Sequence, residues 1–373
     1  MKLSFITNTP PTEQSGGGSG VNNATIQQLR NYFDVCVCNP INPGYDHISK
    51  IKSAFLRKIG LKRNYHFFSE HRLKTIAKEF NSISNQKESN AFFYHGFTPW
   101  IKAMPDKPYF CFNDACFATY VDIYNNKEGF NQTDLERIYQ QEASWLSKAA
   151  AVFFRSQWAL EETKEHYQLC GDNFYNVGVG GFIEIPGKYD YNGNYNFLFI
   201  SREFIPKGGL VVSAAIKKVR KKHPTANLWI VGEKPPQEII HQEGIKYKGF
   251  FDKSITNEKQ QLNDIFRNAF ALVHPTLKDT NTLVINELAY FGCPAIASNR
   301  FAIPEYLLDG KTGYLLDDPK DVDELADLMC KLIEDEEKYR LMRLATRENA
   351  IQNNTWDKVG ERIATVIKDS LSQ

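Results

Sequence analysis

The stretch YNFLFISREFIPKGGLVVSAAIKKVRKKH, residues 195–223, decides the fold class, because a strand, a loop and a helix follow one another within it. Residues 195–201 form an apolar run of strand length, and residues 208–223 carry apolar groups at helical spacing. A further strand, NLWIVG, comes next at residues 227–232. The order of strand, helix and strand is typical of a doubly wound α/β sheet.

The same alternation continues on both sides of this stretch. Towards the C-terminus the predicted strands are IKYKGF, FALVHP and PAIAS, and towards the N-terminus they are KLSFIT, DVCVCNP, AFFYHG, YFCFND and AAVFFRS. Apolar runs of this kind suit a parallel sheet covered on both faces. The segment IEIPGKYDYNGN, residues 183–194, interrupts the pattern with Pro, Gly, Asn and Tyr, so we predict a domain boundary there.

Length and composition limit the protein class. At 373 residues the chain exceeds what one hydrophobic core usually organises, which predicts two domains. The 45 basic and 44 acidic side chains nearly cancel and give no argument for a nucleic-acid partner. Seven cysteines without a CxxC pair favour buried thiols in a reducing compartment. No apolar run is long enough for a signal peptide or a membrane span, so we predict a cytoplasmic protein.

The stretch HPTLKDTNTLVINELAYFGCPAIAS, residues 274–298, carries two acids eight positions apart, Asp279 and Glu287. A helix turns about 100° per residue, so such positions lie roughly 80° out of line. Residues 279–282 favour a loop or an N-cap, whereas residues 283–291 have helical spacing. We therefore predict Asp279 in a loop and Glu287 about one turn inside the helix, with free backbone amides nearby and both acids facing one cleft.

Two other loops follow predicted strands, where ligands of doubly wound sheets bind. The loop SGGGSG, residues 15–20, could admit a phosphate or sugar through Gly17 and Gly18, or could be a simple mobile turn. In the loop SREFIPKGG, Arg202 and Lys207 could clamp a diphosphate, or the loop could be a solvated basic one.

Five stretches occur in a fixed order: SREFIPKGG, VGEKPP, KYKGF, DTNTLVINELAYFGCPAIAS and IPEYLLDGKTGYLLDD. Their content and order resemble the C-terminal domain of glycosyltransferase family 4, the retaining sugar transferases of GT-B fold. The resemblance covers roughly residues 197–330 and is weaker before them. It implies an α/β GT-B architecture, with two doubly wound Rossmann-like domains facing a central cleft. The N-terminal acceptor-side domain would span residues 1–185, the nucleotide-sugar domain residues 190–354, and a helix at 355–373 would cross back to the first domain as part of a hinge.

The resemblance also implies roles for individual residues. Arg202 and Lys207 would hold the donor diphosphate and neutralise the leaving group. Asp279 would contact hydroxyls of the transferred sugar, and Glu287 would accept hydrogen bonds from the nucleotide ribose. The donor phosphates would meet backbone amides at the helix start, those of Asn281, Thr282 and Leu283. The family usually has Glu in place of Asp279 and Pro-Phe-Gly after it, so we expect this chain's donor preference to reside in residues 279–282.

In the N-terminal half the family often carries an active-site His after a strand, and FNDACF stands in that place here. Asn113 or Asp114 would then take its position. Asp114 could bind a sugar or acceptor hydroxyl, or could cap the strand end. His95, in FFYHGF, is a further candidate for a sugar or acceptor contact, with a structural role as its alternative.

The chemistry implied by the resemblance is front-face attack, in which the departing phosphate helps to deprotonate the acceptor hydroxyl. The protein would act mainly by positioning and electrostatics. No DxD-like motif follows a strand in the N-terminal half, and Arg202 and Lys207 could substitute for a metal. We predict metal-independent transfer of a hexose without a cofactor, the nucleotide-diphosphate sugar being a co-substrate.

Residues 50–78 contain nine Lys or Arg and one acid, Glu70, with apolar side chains between them. This composition is typical of a helix or loop on an anionic membrane surface. It also suits a solvated basic face whose apolar stripe packs on the sheet. The first interpretation predicts a peripheral protein on the inner face of the membrane, with a lipid-linked sugar or a growing surface polysaccharide as the acceptor.

Other function classes remain open at this stage. A nucleotide-sugar epimerase or a phosphorylase could use the same two-domain fold. A nicotinamide-dependent oxidoreductase fits two doubly wound halves but would need the dinucleotide fingerprint that this chain lacks. The altered residues 280–282 also leave open a non-catalytic sugar-nucleotide binder. No motif identifies the base or the sugar of the donor.

Overall fold

The computed structural model describes residues 1–11, 17–84, 88–187 and 191–372. The chain forms two compact units, Met1–Gly178 with Val359–Gln373, and Val179–Lys358. The second unit begins at Val179, before the segment 183–194. Val179 is held to this unit by a hydrogen bond, in which Nδ2 of Asn286 donates to its carbonyl over 3.1 Å.

The first unit is built on a parallel sheet with strand order β2-β1-β3-β4-β5-β6 within the described residues. The strands are β1 (Lys2–Ile6), β2 (Asp34–Val37), β3 (Ala91–His95), β4 (Tyr109–Asn113), β5 (Ala151–Phe154) and β6 (Phe174–Asn176). The helices are α1 (Gly17–Arg30), α2 (His47–Lys58), α3 (Glu70–Ser84), α4 (Phe117–Tyr124), α5 (Gln132–Ser147) and α6 (Gln157–Tyr167). Every residue of β3 and β5 is buried, so the centre of the sheet is covered on both faces.

The second unit has a parallel sheet with the order β12-β11-β10-β7-β8-β9 in the described part of the chain. The strands are β7 (Asn196–Ser201), β8 (Asn227–Gly232), β9 (Ile245–Gly249), β10 (Ala271–His274), β11 (Ala295–Ser298) and β12 (Gly313–Leu316). The helices are α7 (Gly209–Lys222), α8 (Gln237–Ile240), α9 (Thr256–Arg267), α10 (Leu283–Ala289), α11 (Ile303–Tyr306), α12 (Val322–Glu334) and α13 (Glu336–Asn353). A last helix, α14 (Trp356–Ser372), starts in this unit and continues from Val359 with the first.

Both sheets reverse their strand order at a point that predicts where ligands bind. In the first sheet β1 lies between β2 and β3, and in the second β7 lies between β8 and β10. The loops that leave the two strands on either side of such a switch point turn in opposite directions and open a crevice at the carboxyl ends of the strands. The loops after β7 and β10 therefore border one such crevice, and the loops after β1 and β3 border another.

The predicted architecture of two doubly wound α/β units is confirmed by these sheets. The glycine loop differs from the prediction, because Gly17 and Gly18 belong to the first turn of α1, while Ser15 and Gly16 lie outside the described residues. Polar contacts fix the start of α1 to the segment at the end of β1. Oγ of Ser19, in the first turn, donates to the carbonyl of Pro10 over 2.7 Å. Nδ2 of Asn22 donates to Oγ1 of Thr7 over 2.8 Å, so the helix is tied to the strand it follows.

Candidate functional site

An ion pair joins the loops that border the switch point of the second sheet. Nζ of Lys207, after β7, lies 3.0 Å from Oδ2 of Asp279, after β10. The same ammonium donates to the carbonyl of Lys278 over 2.6 Å. The structure thus brings together two residues that the sequence assigned separately to the donor phosphate and the donor sugar.

The close approach of these two loops depends on a glycine. Gly208 precedes α7 with φ of +89°, in the left-handed region that favours glycine. A Cβ atom there would lie 2.3 Å from the carbonyl oxygen of Pro275, which no side chain could avoid. Glycine at this position therefore lets the start of α7 approach the backbone that leads to Asp279.

His274, the last residue of β10, also lies close to Asp279. Its Nε2 lies 3.6 Å from Oδ2 of Asp279. Burial raises the pKa of Asp279, but the His274 imidazole and the Lys207 ammonium outweigh burial and hold that pKa below its ordinary value. The carboxylate consequently stays ionised at neutral pH and can accept hydrogen bonds. The sequence analysis missed His274, although its position at a strand end was a usable signal.

Glu287 is buried in α10 and is bound by a residue that the sequence analysis also missed. Nζ of Lys253, in the loop between β9 and α9, lies 2.6 Å from both Oε1 and Oε2. The backbone amide of Phe182 donates to Oε1 over 3.0 Å. A carboxylate offers about four acceptor positions, so this acid can still accept a hydroxyl while Lys253 fixes its orientation.

Residues 281–283 show a mixture of used and unused polar groups. Oδ1 of Asn281 accepts from the hydroxyl of Tyr306 over 2.7 Å, and the amide of Leu283 already donates to the carbonyl of Asn281 over 2.9 Å. Within the described part of the chain, Nδ2 of Asn281 and Oγ1 of Thr282 are buried without a hydrogen-bond partner. Two side-chain groups, rather than a free amide at Leu283, are therefore available here to a ligand.

Arg202, in the same loop as Lys207, contacts an aromatic ring that follows β9. Its guanidinium is exposed and sits 5.8 Å from the ring centre of Phe250, which follows β9. Hydrogen bonds from Ser254 lower the pKa of Asp252, and the charge of Arg202 lowers it further. Arg202 thus belongs to the β8–β9 side of the crevice, where it could reach a ligand that extends away from Asp279.

The first unit has its own group of polar residues at adjacent strand ends. His95 ends β3, Asp114 follows β4, and Arg155 follows β5. Nη1 of Arg155 lies 3.4 Å from Oδ2 of Asp114. Burial, with the charge of Arg155, lowers the pKa of His95 to about 3, so the imidazole is neutral. Arg155 was not among the predicted site residues.

The other predicted site residues of the first unit are Asn113, Gly17 and Gly18. Nδ2 of Asn113 donates to the carbonyl of Ala115 over 2.8 Å, which closes the turn after β4. Gly17 and Gly18 are exposed, and a Cβ atom on either would meet open space. Gly17 has a φ of +77°, in the left-handed region that favours glycine, so the backbone conformation and not crowding by other protein atoms favours glycine there.

One group of side chains among the described residues could hold a metal ion. The ligand atoms of His223, Cys330 and Glu334 lie within 4.8 Å of one another. They surround the C-terminal end of α7, whereas Gly208 and Lys207 stand at its N-terminal end, about 21 Å away for a helix of 14 residues. This group is thus separate from the Lys207–Asp279 pair, and metal-independent transfer remains a prediction.

Residues 182–353 match the family model described as Glycosyl transferases group 1. The match lies within the second unit and includes Lys207, Lys253, His274, Asp279 and Glu287. It supports a nucleotide-sugar-dependent glycosyltransferase, and the finer assignment to family 4 remains a prediction.

Curated relatives agree with this class. The GDP-mannose-dependent alpha-(1-6)-phosphatidylinositol monomannoside mannosyltransferase of Mycolicibacterium smegmatis is 28% identical over 177 residues, which cover 45% of this chain and 46% of the relative. The glycogen synthase of Mycobacterium tuberculosis is 26% identical over 176 residues, covering 47% of this chain and 42% of the relative. The chain therefore matches these relatives over about half of their length.

A solved structure shows the same fold over the whole chain. Sucrose-phosphate synthase from Thermosynechococcus elongatus superimposes with a TM-score of 0.71 at 14% identity, covering 100% of this chain and 99% of that one. The predicted GT-B fold is confirmed by this likeness and by the two parallel sheets.

Proposed function

We propose that the protein is a retaining, metal-independent glycosyltransferase. It transfers a hexose from a nucleotide-diphosphate sugar to a hydroxyl of a glycan or glycolipid acceptor, in the synthesis of a surface polysaccharide or glycolipid. The observation that carries the proposal is the Lys207–Asp279 pair at the switch point of the second sheet, inside the region that matches the glycosyltransferase model. A cation for phosphate and an ionised acid for sugar hydroxyls stand there side by side.

The residues of the second unit suit the successive parts of such a donor. Lys207 would neutralise the phosphate oxygen from which the sugar departs, and Arg202 would contact the diphosphate from the β8–β9 side. Asp279 would accept hydrogen bonds from sugar hydroxyls. Glu287, oriented by Lys253, would accept from the ribose hydroxyls. The unpaired groups of Asn281 and Thr282 would contact the phosphates or the sugar.

The proposed transfer needs no protein nucleophile. The acceptor oxygen bonds to the anomeric carbon on the face from which the phosphate leaves, and the acceptor proton passes to a departing phosphate oxygen. The products are the glycosylated acceptor, with the anomeric configuration of the donor, and a nucleoside diphosphate. Electrostatic stabilisation of the departing diphosphate by Lys207 is the main contribution of the protein.

The strand-end group of the first unit is the proposed acceptor side. Asp114 would accept a hydrogen bond from a sugar or acceptor hydroxyl while Arg155 keeps the carboxylate in place. His95 is buried and neutral, so it would serve as a hydrogen-bonding group and not as a cation.

A donor screen followed by product analysis tests the proposal. UDP-, GDP-, ADP- and CMP-sugars are compared by the shift that each causes in the thermal unfolding midpoint. The stabilising donor is then incubated with glycan and glycolipid acceptors, with and without EDTA, and the anomeric linkage of the product is read by NMR. An inverted linkage or a loss of turnover with EDTA would disprove the corresponding part. Conversion of the donor without an acceptor would favour an epimerase, and binding without any turnover would favour a non-catalytic binder.

A further inference from the structure

Helix α2 of the first unit presents an apolar face to solvent. Ile48, Ile51 and Phe55 are 81%, 70% and 60% exposed, and Ile59 at the C-terminal cap is 50% exposed. At about 100° per residue these four side chains fall within an arc of roughly 80°. We refer to Ile48, Ile51, Phe55 and Ile59 as the α2 apolar face. These four side chains therefore do not pack on the sheet, whereas Phe68 of the same basic segment packs against the hydrophobic core.

The helix is held in place from its other side. Asp46 caps its N-terminus by accepting from the amide of Ser49 over 3.1 Å and from Oγ of Ser69 over 2.9 Å. Its hydrogen bonds, mainly those from Ser49, lower the pKa of Asp46 to about 2. Oγ of Ser53, on the buried side, donates to the carbonyl of Asn64 over 3.0 Å. The helix therefore keeps its position without burying its apolar face.

Two arginines tie the segment around α2 to the rest of the first unit. Arg72 donates to Oδ1 of Asn42 and to the carbonyl of Phe67, each over 2.8 Å. Arg137 donates to the carbonyl of Phe68 over 2.8 Å. Because the chain is anchored both before and after α2, the apolar face is presented by an ordered element.

Basic residues surround this face. Lys52 and Lys58 flank it at about 40° and 80° from Ile48 on the helix circumference. Both lysines are exposed, whereas Arg72 of the same basic segment is buried and serves as an anchor. The one acid of residues 50–78, Glu70, is already paired with Lys102 at 2.9 Å. The surface is therefore apolar at its centre and cationic at its rim.

This chemistry selects among the occupants of the face. A second copy of the chain would bring the same cationic rims together, which like-charge repulsion opposes. A nucleic acid would contact the cations but leave the aliphatic side chains in water. An anionic lipid bilayer meets both requirements, since acyl chains receive the apolar groups and lipid phosphates receive the lysines.

We propose that α2 docks the protein on the surface of an anionic lipid bilayer. The α2 apolar face enters the boundary between headgroups and acyl chains, and Lys52 and Lys58 contact lipid phosphates. No helix among the described residues is long and apolar enough to cross a membrane. The docking itself is independent of the proposed transfer; only its use, to bring a lipid-linked acceptor to the enzyme, rests on the proposed function.

The experiment measures co-sedimentation of the full chain with vesicles of phosphatidylcholine, alone or with about one third phosphatidylglycerol, at low and high salt. The double variant Ile51→Ser/Phe55→Ser removes the centre of the face, and Lys52→Ser/Lys58→Ser removes two rim charges. The matched apolar control is Leu341→Ser/Leu344→Ser on α13, where the side chains are 52% and 48% exposed. The matched charge control is Lys217→Ser/Lys221→Ser, two exposed lysines of α7. Thermal unfolding verifies that each variant is folded.

The expected result is binding to the anionic vesicles that weakens at high salt, with little binding to phosphatidylcholine alone. Each α2 double variant lowers the partition coefficient by about tenfold or more, and neither control changes it by more than about twofold. Equal binding of the α2 variants and their controls would overturn the proposal, as would equal binding to both lipid compositions. A concentration-dependent dimer in light scattering that disappears in Ile51→Ser/Phe55→Ser, with vesicle binding unchanged, would assign the face to a second copy instead.

Discussion

Lys207 and Asp279 offer the most direct mutational test of the donor site. Lys207→Met removes the charge that would stabilise the departing diphosphate, so we expect kcat/KM to fall by about 100-fold with the unfolding midpoint little changed. Asp279→Asn keeps the shape but donates where the carboxylate accepts, and we expect a loss of similar size. Steady-state kinetics with the donor from the screen measures both. Lys278→Met, at an exposed neighbouring position, is the control, and a loss there as large as that of Lys207→Met would contradict the assignment.

Lys253 permits a separate test of how Glu287 is held. Lys253→Met leaves a buried carboxylate with Phe182 as its remaining observed donor, because both oxygens lose the ammonium. We expect the free energy of unfolding to fall by about 2 kcal/mol and the affinity for a nucleoside diphosphate to fall as well. Denaturant unfolding and calorimetric titration measure the two effects. Lys259→Met, which removes a half-buried lysine paired with the exposed Glu184, should change neither.

The low pKa of His95 predicts how the free energy of unfolding depends on pH in acid. Its pKa in the folded protein is about 3, against an ordinary value of 6.5. Between these values the unfolded chain binds a proton that the folded chain does not, so stability falls as pH decreases through this window, by at most about 1.4 kcal/mol per pH unit. His95→Asn should therefore flatten the dependence of unfolding free energy on pH between about 6.5 and 4. An unchanged slope in His95→Asn would contradict the assignment.

Helix α5 is fixed in the first unit by hydrogen bonds to a buried acid, Glu142. Glu142 accepts from the hydroxyls of Thr98 and Tyr167, each over 2.6 Å, and from the amide of Phe117 over 2.7 Å. Burial raises the pKa of Glu142 even though all three donors act to lower it. The acid thereby links α5 to the segment after β3, to the first residue of α4, into which the loop after β4 leads, and to the last residue of α6.

Removal of this acid should loosen both loops together. Glu142→Ala leaves three buried donors without their acceptor, so we expect the free energy of unfolding of the first unit to fall by about 3 kcal/mol. Hydrogen exchange should also rise in the loops after β3 and β4. Glu136→Ala, on the exposed side of the same helix, is the matched control and should fall within about 0.5 kcal/mol of the parent protein. A loss in Glu142→Ala no larger than that of the control would contradict this role.

The elements that could be predicted from sequence are those whose signal is local. Strands β3, β4 and β5 are contiguous apolar runs because they are buried on both faces, and α7 has clear helical spacing. Strand β6, only three residues long, and β12, inside a segment rich in turn residues, gave no comparable signal. The first turn of α1 was missed because glycines disfavour a helix, whereas Ser19 holds this turn to the segment after β1 through a tertiary contact.

The site residues also separate into those that could be predicted from the local sequence and those that could not. Lys207, Asp279 and Glu287 could be proposed because each stands in a recognisable stretch at a strand or helix end. Contacts between residues far apart in the chain could not be predicted. Lys253 is 34 residues from Glu287 and Arg155 is 41 residues from Asp114, and no local sequence pattern indicates either contact. The Arg155–Asp114 contact follows from strand order, since β4 and β5 become neighbours only in the folded sheet. Lys253 follows β9, which is not a neighbour of β10, so strand adjacency does not account for its contact with Glu287.

The two units have separate hydrophobic cores, so we expect a bound nucleotide to stabilise them unequally against unfolding. One core is centred on residues such as Phe92 and Trp145, the other on residues such as Phe199 and Leu228, so unfolding of the full chain need not be a single two-state transition. The donor residues proposed here all lie in the second unit. A nucleoside diphosphate at about 100 times its Kd should stabilise that unit by about 2.7 kcal/mol and leave the first largely unaffected. Differential scanning calorimetry of the full chain, with hydrogen exchange to assign each transition, measures this. Protection gained at the carboxyl ends of β7 and β10 would support the donor site, whereas protection confined to the ends of β1 and β3 would move the nucleotide to the first unit.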